Sequence, residues 1–349
     1  GGDVDSTKLW RAAGLTTVVG VAAVAAIWHL SYTLPQEPPF KHDVVLDSIG
    51  LEMALMPLDG LDPEDDPVRI PTGLYIQQIE YLSAYDVGVS GVIWQRIPAG
   101  HTREQHGIVF PEAVDVRLQE SFTEPNGDGT TIGWHFTTTL RQPFRYNQYP
   151  FDREYVWIRL WHRDIFGEYA LTPDFNSYPA LRPTTMPGVE EDMVLEGWVP
   201  TGSFFGYRQN SYSTDFGGAA EIPPRGRPEM YFNIGMKRDF LAFFVGDMIT
   251  LIIVSLLLFA VLMISTGHGV LADKDGFSSS TVLAYCACLF FVFIVSHVHL
   301  RQKLAGEGVI YLEGLYFVLY GAILLVSVAS ILFVSEVEWL GDEPWHPLV

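Results

Sequence analysis

The sequence predicts an extracellular β-sandwich followed by an α-helical transmembrane bundle, with an additional transmembrane helix at the N-terminus. Three observations carry this expectation. From Val68 onward, short apolar sets alternate with period two and are bounded by Gly, Pro, Asn or Asp, with no helical stretches between them; that is the pattern of an antiparallel sandwich. Three long apolar runs, Phe240–Ser265, Thr281–His297 and Val309–Val334, crowd the last third of the chain. A fourth, Leu15–Leu34, lies behind Lys8 and Arg11. A bilayer core needs about 20 mostly apolar residues per helix, and the only acids in the three C-terminal runs are Asp247 and Glu313.

Residues 1–34 form the N-terminal membrane segment. Its basic start, Ala-rich centre and small residues at Ala23-Val24-Ala25 also suit a signal peptide; we read it as a retained helix. Residues 35–67 are an acidic, proline-rich linker, densest at Asp62-Pro63-Glu64-Asp65-Asp66-Pro67, with one short element expected around Leu46–Met56. The sandwich is expected over residues 68–236. Its strands are marked by Leu74/Ile76, Val87/Val89, Val114/Val116/Leu118, Trp134/Phe136/Thr138/Leu140, Val156/Ile158/Leu160 and Met230/Phe232/Ile234/Met236. Asn126-Gly127-Asp128-Gly129 is a hairpin signal between two of them. The last set ends in Lys237-Arg238 and passes straight into an apolar run. Residues 237–334 form a three-helix domain whose short connections, Thr266–Phe277 and Leu300–Gly308, make antiparallel neighbours. Residues 335–349 are an acidic tail. Lys8 and Arg11 place the N-terminus inside and the β-domain in an extracellular or periplasmic position, as in a multi-pass protein of the cell's inner membrane. The remaining bases oppose this bias, since Lys237, Arg238, Arg301 and Lys303 then lie outside against Lys274 inside.

Composition narrows the function. A net charge of −20, from 41 acids against 21 bases, makes nucleic acid an unsuitable partner and cations suitable companions. The two cysteines, Cys286 and Cys288, are two residues apart in an apolar helix, a spacing that points them to different sides and forms neither a disulfide nor a metal clip. His101 and His106 lack an identifiable third ligand and read as a loop, so no metal or cofactor is expected. The sequence has no phosphate loop, no Gly-x-Ser-x-Gly and no His-Glu-x-x-His, so no enzyme is expected.

The segment Arg145-Tyr146-Asn147-Gln148-Tyr149-Pro150-Phe151-Asp152-Arg153-Glu154-Tyr155-Val156-Trp157-Ile158 resembles the loop of pentameric ligand-gated ion channels, whose hallmark is an aromatic-Pro-Phe-Asp run ahead of a strand. Gly197-Trp198, then Met230–Arg238 and a membrane helix, are similar to that family's last two external strands running into its first membrane helix. Arg238 stands at the position of the family's pre-membrane arginine, and Thr250 near the slot of a helix-kinking proline. Phe277–Leu300 resembles the pore-lining helix, and Tyr311-Leu312-Glu313 the start of the third. Three departures matter. The loop has no cysteines, as in bacterial relatives; a set of agonist-box aromatics is lacking; and no fourth helix follows Val334, which leaves the N-terminal helix as a candidate for that lipid-facing position.

The resemblance implies a homopentamer in membrane lipid, opened by a small-molecule ligand or other stimulus and passing cations. Asp273 and Asp275 would form an acidic selectivity ring at the inner mouth; the alternative is a polar turn. Helical spacing along the pore helix gives Ser279, Leu283, Cys286, Phe290, Phe293 and His297 on one face, and Ser280, Ala284, Ala287, Phe291, Ile294 and Val298 on another. Both are apolar, and the register stays open. Tyr149, Pro150, Phe151 and Asp152 would couple the sandwich to the Leu300–Gly308 linker. Asp247, His297, His299 and Glu313 are pH-sensing candidates, as intramembrane ionisable groups near one level, against an interfacial polar belt. Two readings follow: a gated channel subunit, or a non-conducting membrane receptor or docking subunit whose sandwich is the sensor.

Overall fold

A computed structural model describes residues 43–55, 67–101, 106–146, 148–165, 169–214, 216–217, 228–266, 279–304 and 309–341, together with scattered helical positions between 15 and 33. Among the described residues, the strands form two five-stranded sheets. The first has the order β1 (Asp43–Val45), β9 (Trp198–Gln209), β10 (Pro228–Arg238), β7 (Arg153–His162), β4 (Ile108–Val109). The second runs β5 (Ala113–Asn126), β6 (Gly129–Arg141), β3 (Asp86–Ile97), β2 (Val68–Tyr81), β8 (Tyr169–Pro173). Their apolar faces share one core, with Ile70, Leu74, Ile93 and Phe136 from the second sheet meeting Val156, Ile158, Phe205 and Phe232 from the first, the arrangement of a β-sandwich. Every alternating set read from the sequence lies in a strand. Asn126-Gly127-Asp128-Gly129 closes the β5–β6 hairpin, with Asn126 paired to Gly129 and Gly127 at φ +60, a value glycine adopts without strain.

Residues 43–45, inside the stretch read as linker, join the first sheet through β9, and helix α1 (Ser48–Leu55) follows. In β7 the period is strict: Glu154, Val156, Ile158, Leu160 and His162 point into the core, while Tyr155, Trp157, Arg159 and Trp161 face outward. Two polar groups thus stand at opposite ends of one buried face.

β10 hands over to helix α2 with a single residue between. Asp239 caps the helix, its side chain accepting from the Leu241 amide at 2.9 Å, which satisfies one of the free amides of the first turn. Helix α2 runs from Phe240–Phe243 through a π-helical turn, Phe244–Met248, into Ile249–Thr266. Helices α3 (Ser279–Lys303) and α4 (Tyr311–Gly341) follow, α4 passing beyond the expected end at Val334. Among the described residues, three helices are long and apolar enough to cross a membrane: Phe240–Met263, Ser280–Lys303 and Leu312–Ile331. Large apolar side chains, Leu256, Phe291 and Leu325 among them, stand exposed along them, as lipid-facing positions do.

Candidate functional site

The site lies where the sheets meet the helices. Antiparallel register pairs Arg153 of β7 with Lys237 of β10, which brings Asp152 beside Arg238. The guanidinium donates to the carboxylate from Nε at 2.8 and 3.1 Å and from Nη2 at 2.7 Å, a two-pronged pair with side-chain exposures of 8% and 1%. It also lies 4.1 Å from the Trp198 ring centre and 4.7 Å from that of Tyr149. Carboxylate and aromatic faces together replace the water that a buried cation gives up. Glu154, two residues on, accepts from the Arg145 amide at 2.7 Å. Burial foremost pushes its carboxyl up to about 8, with Asp152 adding to the rise, so it is mostly protonated at pH 7.

The same loop reaches the helices. Tyr149, fully buried, donates its hydroxyl in a short hydrogen bond to Asp247 Oδ2, and its pKa is raised by burial and by that carboxylate. Asp247 sits in the π-helical turn, a local widening common at functional positions. Lys303 Nζ, at the end of α3, lies 3.5 Å from the same oxygen. Tyr149 meets Phe243 edge-on at 5.3 Å, Phe151 stacks on Phe240 at 6.1 Å, and Trp28 of the N-terminal segment lies 5.7 Å from Phe151. Pro150 follows a cis peptide bond. A polar line therefore runs Asp152, Arg238, Tyr149, Asp247, buried as far as that carboxylate and closed by the exposed Lys303, from the last strand to the first turns of α2 and the end of α3.

A second polar knot joins α3 to α4. Glu313, 1% exposed, forms an ion pair with Arg301 at 2.6 Å, accepts from the Ile310 amide at 2.9 Å, and lies 3.3 Å from His297 Nε2. His297 Nδ1 is 3.3 Å from the Tyr320 hydroxyl, and Tyr316 stacks on Phe293 and His297. Of the pH-sensing candidates, His297 and Glu313 come together, Asp247 belongs to the first line, and His299 is exposed and outside both. Of the stripe begun at Ser279, the first residue of α3, Cys286 and Phe293 are buried and His297 is bound to α4, while Leu283 and Phe290 are exposed. The alternative stripe, Ser280, Ala284, Ala287, Phe291, Ile294 and Val298, is exposed throughout. Asp273 and Asp275 lie outside the described residues.

Aromatic residues not assembled by the sequence reading gather at the far end of β9. Arg159 lies 5.2 Å over the Trp161 ring, donates to the Tyr212 hydroxyl at 3.0 Å and pairs with Glu112 and Glu229; Phe216 packs on Tyr212 at 5.3 Å. The alternation Trp157-x-Arg159-x-Trp161 was the available signal, but its partners come from residues more than 40 positions away. Trp198, Glu154 and Lys303 were also missed as site residues. Lys303 could have been marked as the base closing an apolar run, and Glu154 as an acid on an apolar face. No family model matches the chain, and no curated protein matches it.

Proposed function

We propose that the chain is a subunit of a stimulus-gated, cation-selective ion channel, in which the β-domain opens a pore lined by α3. The observation that carries this reading is the line from Asp152 and Arg238 through Tyr149 to Asp247, buried to that point and ending on the exposed Lys303. A domain merely tethered to a membrane anchor has no need of a desolvated ion pair and an intramembrane carboxylate at its junction, since both are costly to bury. Close-packed polar junctions have few discrete arrangements, so a shift of the strands becomes a shift of α2 and α3 rather than a gradual yielding. The resemblance of Tyr149-Pro150-Phe151-Asp152 and Arg238 to the pentameric ligand-gated channels supplies the homopentamer, which one chain cannot count for itself. The α3 stripe of Ser280, Ala284, Ala287, Phe291, Ile294 and Val298, exposed along its length, then faces the axis, and its apolar stretch gates by excluding water.

That same stripe favours a second reading, a non-conducting receptor, because above Ser280 it offers no polar side chain to a hydrated ion. Recording from the purified chain in planar bilayers, across pH and calcium, separates the two. Discrete currents whose reversal potential in a salt gradient follows the cation support the channel; a folded, reconstituted protein that stays silent throughout supports the receptor.

A further inference from the structure

Three imidazoles meet at the end of the sandwich opposite the helices. His162 is the last core-facing residue of β7, and His106 enters the core just before β4; both are buried, at 6% and 4% exposure. His106 Nδ1 and His162 Nε2 are 3.1 Å apart. His101 stands with its ring 5.7 Å from that of His106, and Tyr169 packs against all three rings at 4.5 to 5.8 Å. His106 Nε2 has no hydrogen-bond partner although it is fully enclosed.

From this arrangement we infer that His106 and His162, with His101 as third ligand, form a site for a borderline divalent metal ion of the zinc type. Two nitrogens bound at about 2.0–2.1 Å to one tetrahedral zinc stand about 3.3–3.4 Å apart, close to the separation already present. The ring orientation suits ligation as well. His162 Nδ1 lies 3.2 Å from both the Asp164 carbonyl oxygen and the Asp164 amide nitrogen; in the tautomer that donates to the carbonyl, Nε2 carries its lone pair toward His106, as a metal-bound histidine requires. Among the described residues no group of three His, Cys, Asp or Glu side chains is placed to hold a metal ion, so binding requires His101 to move toward the pair, with water in the fourth position. The inference is independent of the channel reading.

Zinc titrated into the detergent-purified full chain is expected to bind at one equivalent and to raise the thermal midpoint. His162→Gln and His106→Gln are each expected to weaken binding by about 10-fold or more, and His101→Ala to weaken it less. Because the buried substitutions could disturb folding, X-ray absorption of the wild-type chain at one equivalent provides a second measurement, with an imidazole nitrogen shell near 2.0–2.1 Å expected. An oxygen-only shell, no saturable binding, or undiminished affinity in a folded His162→Gln chain overturns the site.

Discussion

Replacing Asp152 by Asn keeps the outline of the loop and removes the carboxylate that Arg238 holds at 2.7 to 3.1 Å. Both partners are desolvated, at 8% and 1% side-chain exposure, so the cost is mainly that of an orphaned buried cation. Removing one partner of a buried pair costs about 3–5 kcal/mol. The amide oxygen still offers a neutral acceptor, which returns about 1 kcal/mol; the net loss is therefore about 2–4 kcal/mol. For a domain of this size each kcal/mol moves the midpoint by about 2–4 °C, which puts the apparent Tm of Asp152→Asn lower by about 4–16 °C. Tryptophan fluorescence during thermal unfolding in detergent is the assay, since Trp198 lies against the guanidinium. Adding Arg238→Gln removes the orphaned charge and is expected to recover more than half of the loss, a coupling that appears as strong non-additivity. A loss below about 1 kcal/mol in the single variant, or simple additivity in the double one, refutes the reasoning.

Tyr149→Phe deletes the hydroxyl bound to Asp247 and is expected to destabilise by about 1.5–3 kcal/mol, measured the same way; an unchanged midpoint contradicts the link. Glu154, with a folded pKa of about 8, binds a proton in the folded state that it loses in the unfolded state above about pH 4.5, so stability falls as pH rises from about 5 to 8 and levels above that. Glu154→Gln, neutral at every pH, is expected to flatten that part of the Tm profile, and an identical slope in both proteins contradicts the assignment. In a conducting protein, Asp273→Asn with Asp275→Asn is expected to move the reversal potential in a salt gradient toward the anion; no movement places the selectivity ring elsewhere.

The strands, the Asn126-Gly127-Asp128-Gly129 turn and the three apolar helices were legible because each is a local pattern of period or length. β1, β4 and β8 were not, being two to five residues long, too short for alternation to register, and β9 was marked only through the resemblance at Gly197-Trp198. The site was legible residue by residue but not as contacts. Asp152 and Arg238 were both named from the sequence, yet their pairing depends on the β7–β10 register across 86 positions, which alternation alone leaves free. Asp247 was recognised as an intramembrane acid and grouped with the histidines; the π-helical turn and Tyr149 draw it toward the sheets instead. Nothing in a run of apolar residues says which stripe of α3 a neighbouring helix will cover, so the burial of Cys286 and Phe293 under α4 emerged only from the packing. His162 closes a strand whose inner face is otherwise mostly aliphatic, and its approach to His106 spans 56 positions.

The central claim is that the exposed stripe of α3 lines a cation pore. With Cys286 and Cys288 first changed to Ala, single cysteines at Ile294, Val298 and Phe293 can be exposed to a charged thiol reagent during planar-bilayer recording. The account predicts that the reagent stops most of the current at Ile294→Cys and Val298→Cys and leaves Phe293→Cys, buried against Tyr316, unaffected. Block at Phe293→Cys alone, or no current in any of the folded proteins, contradicts it.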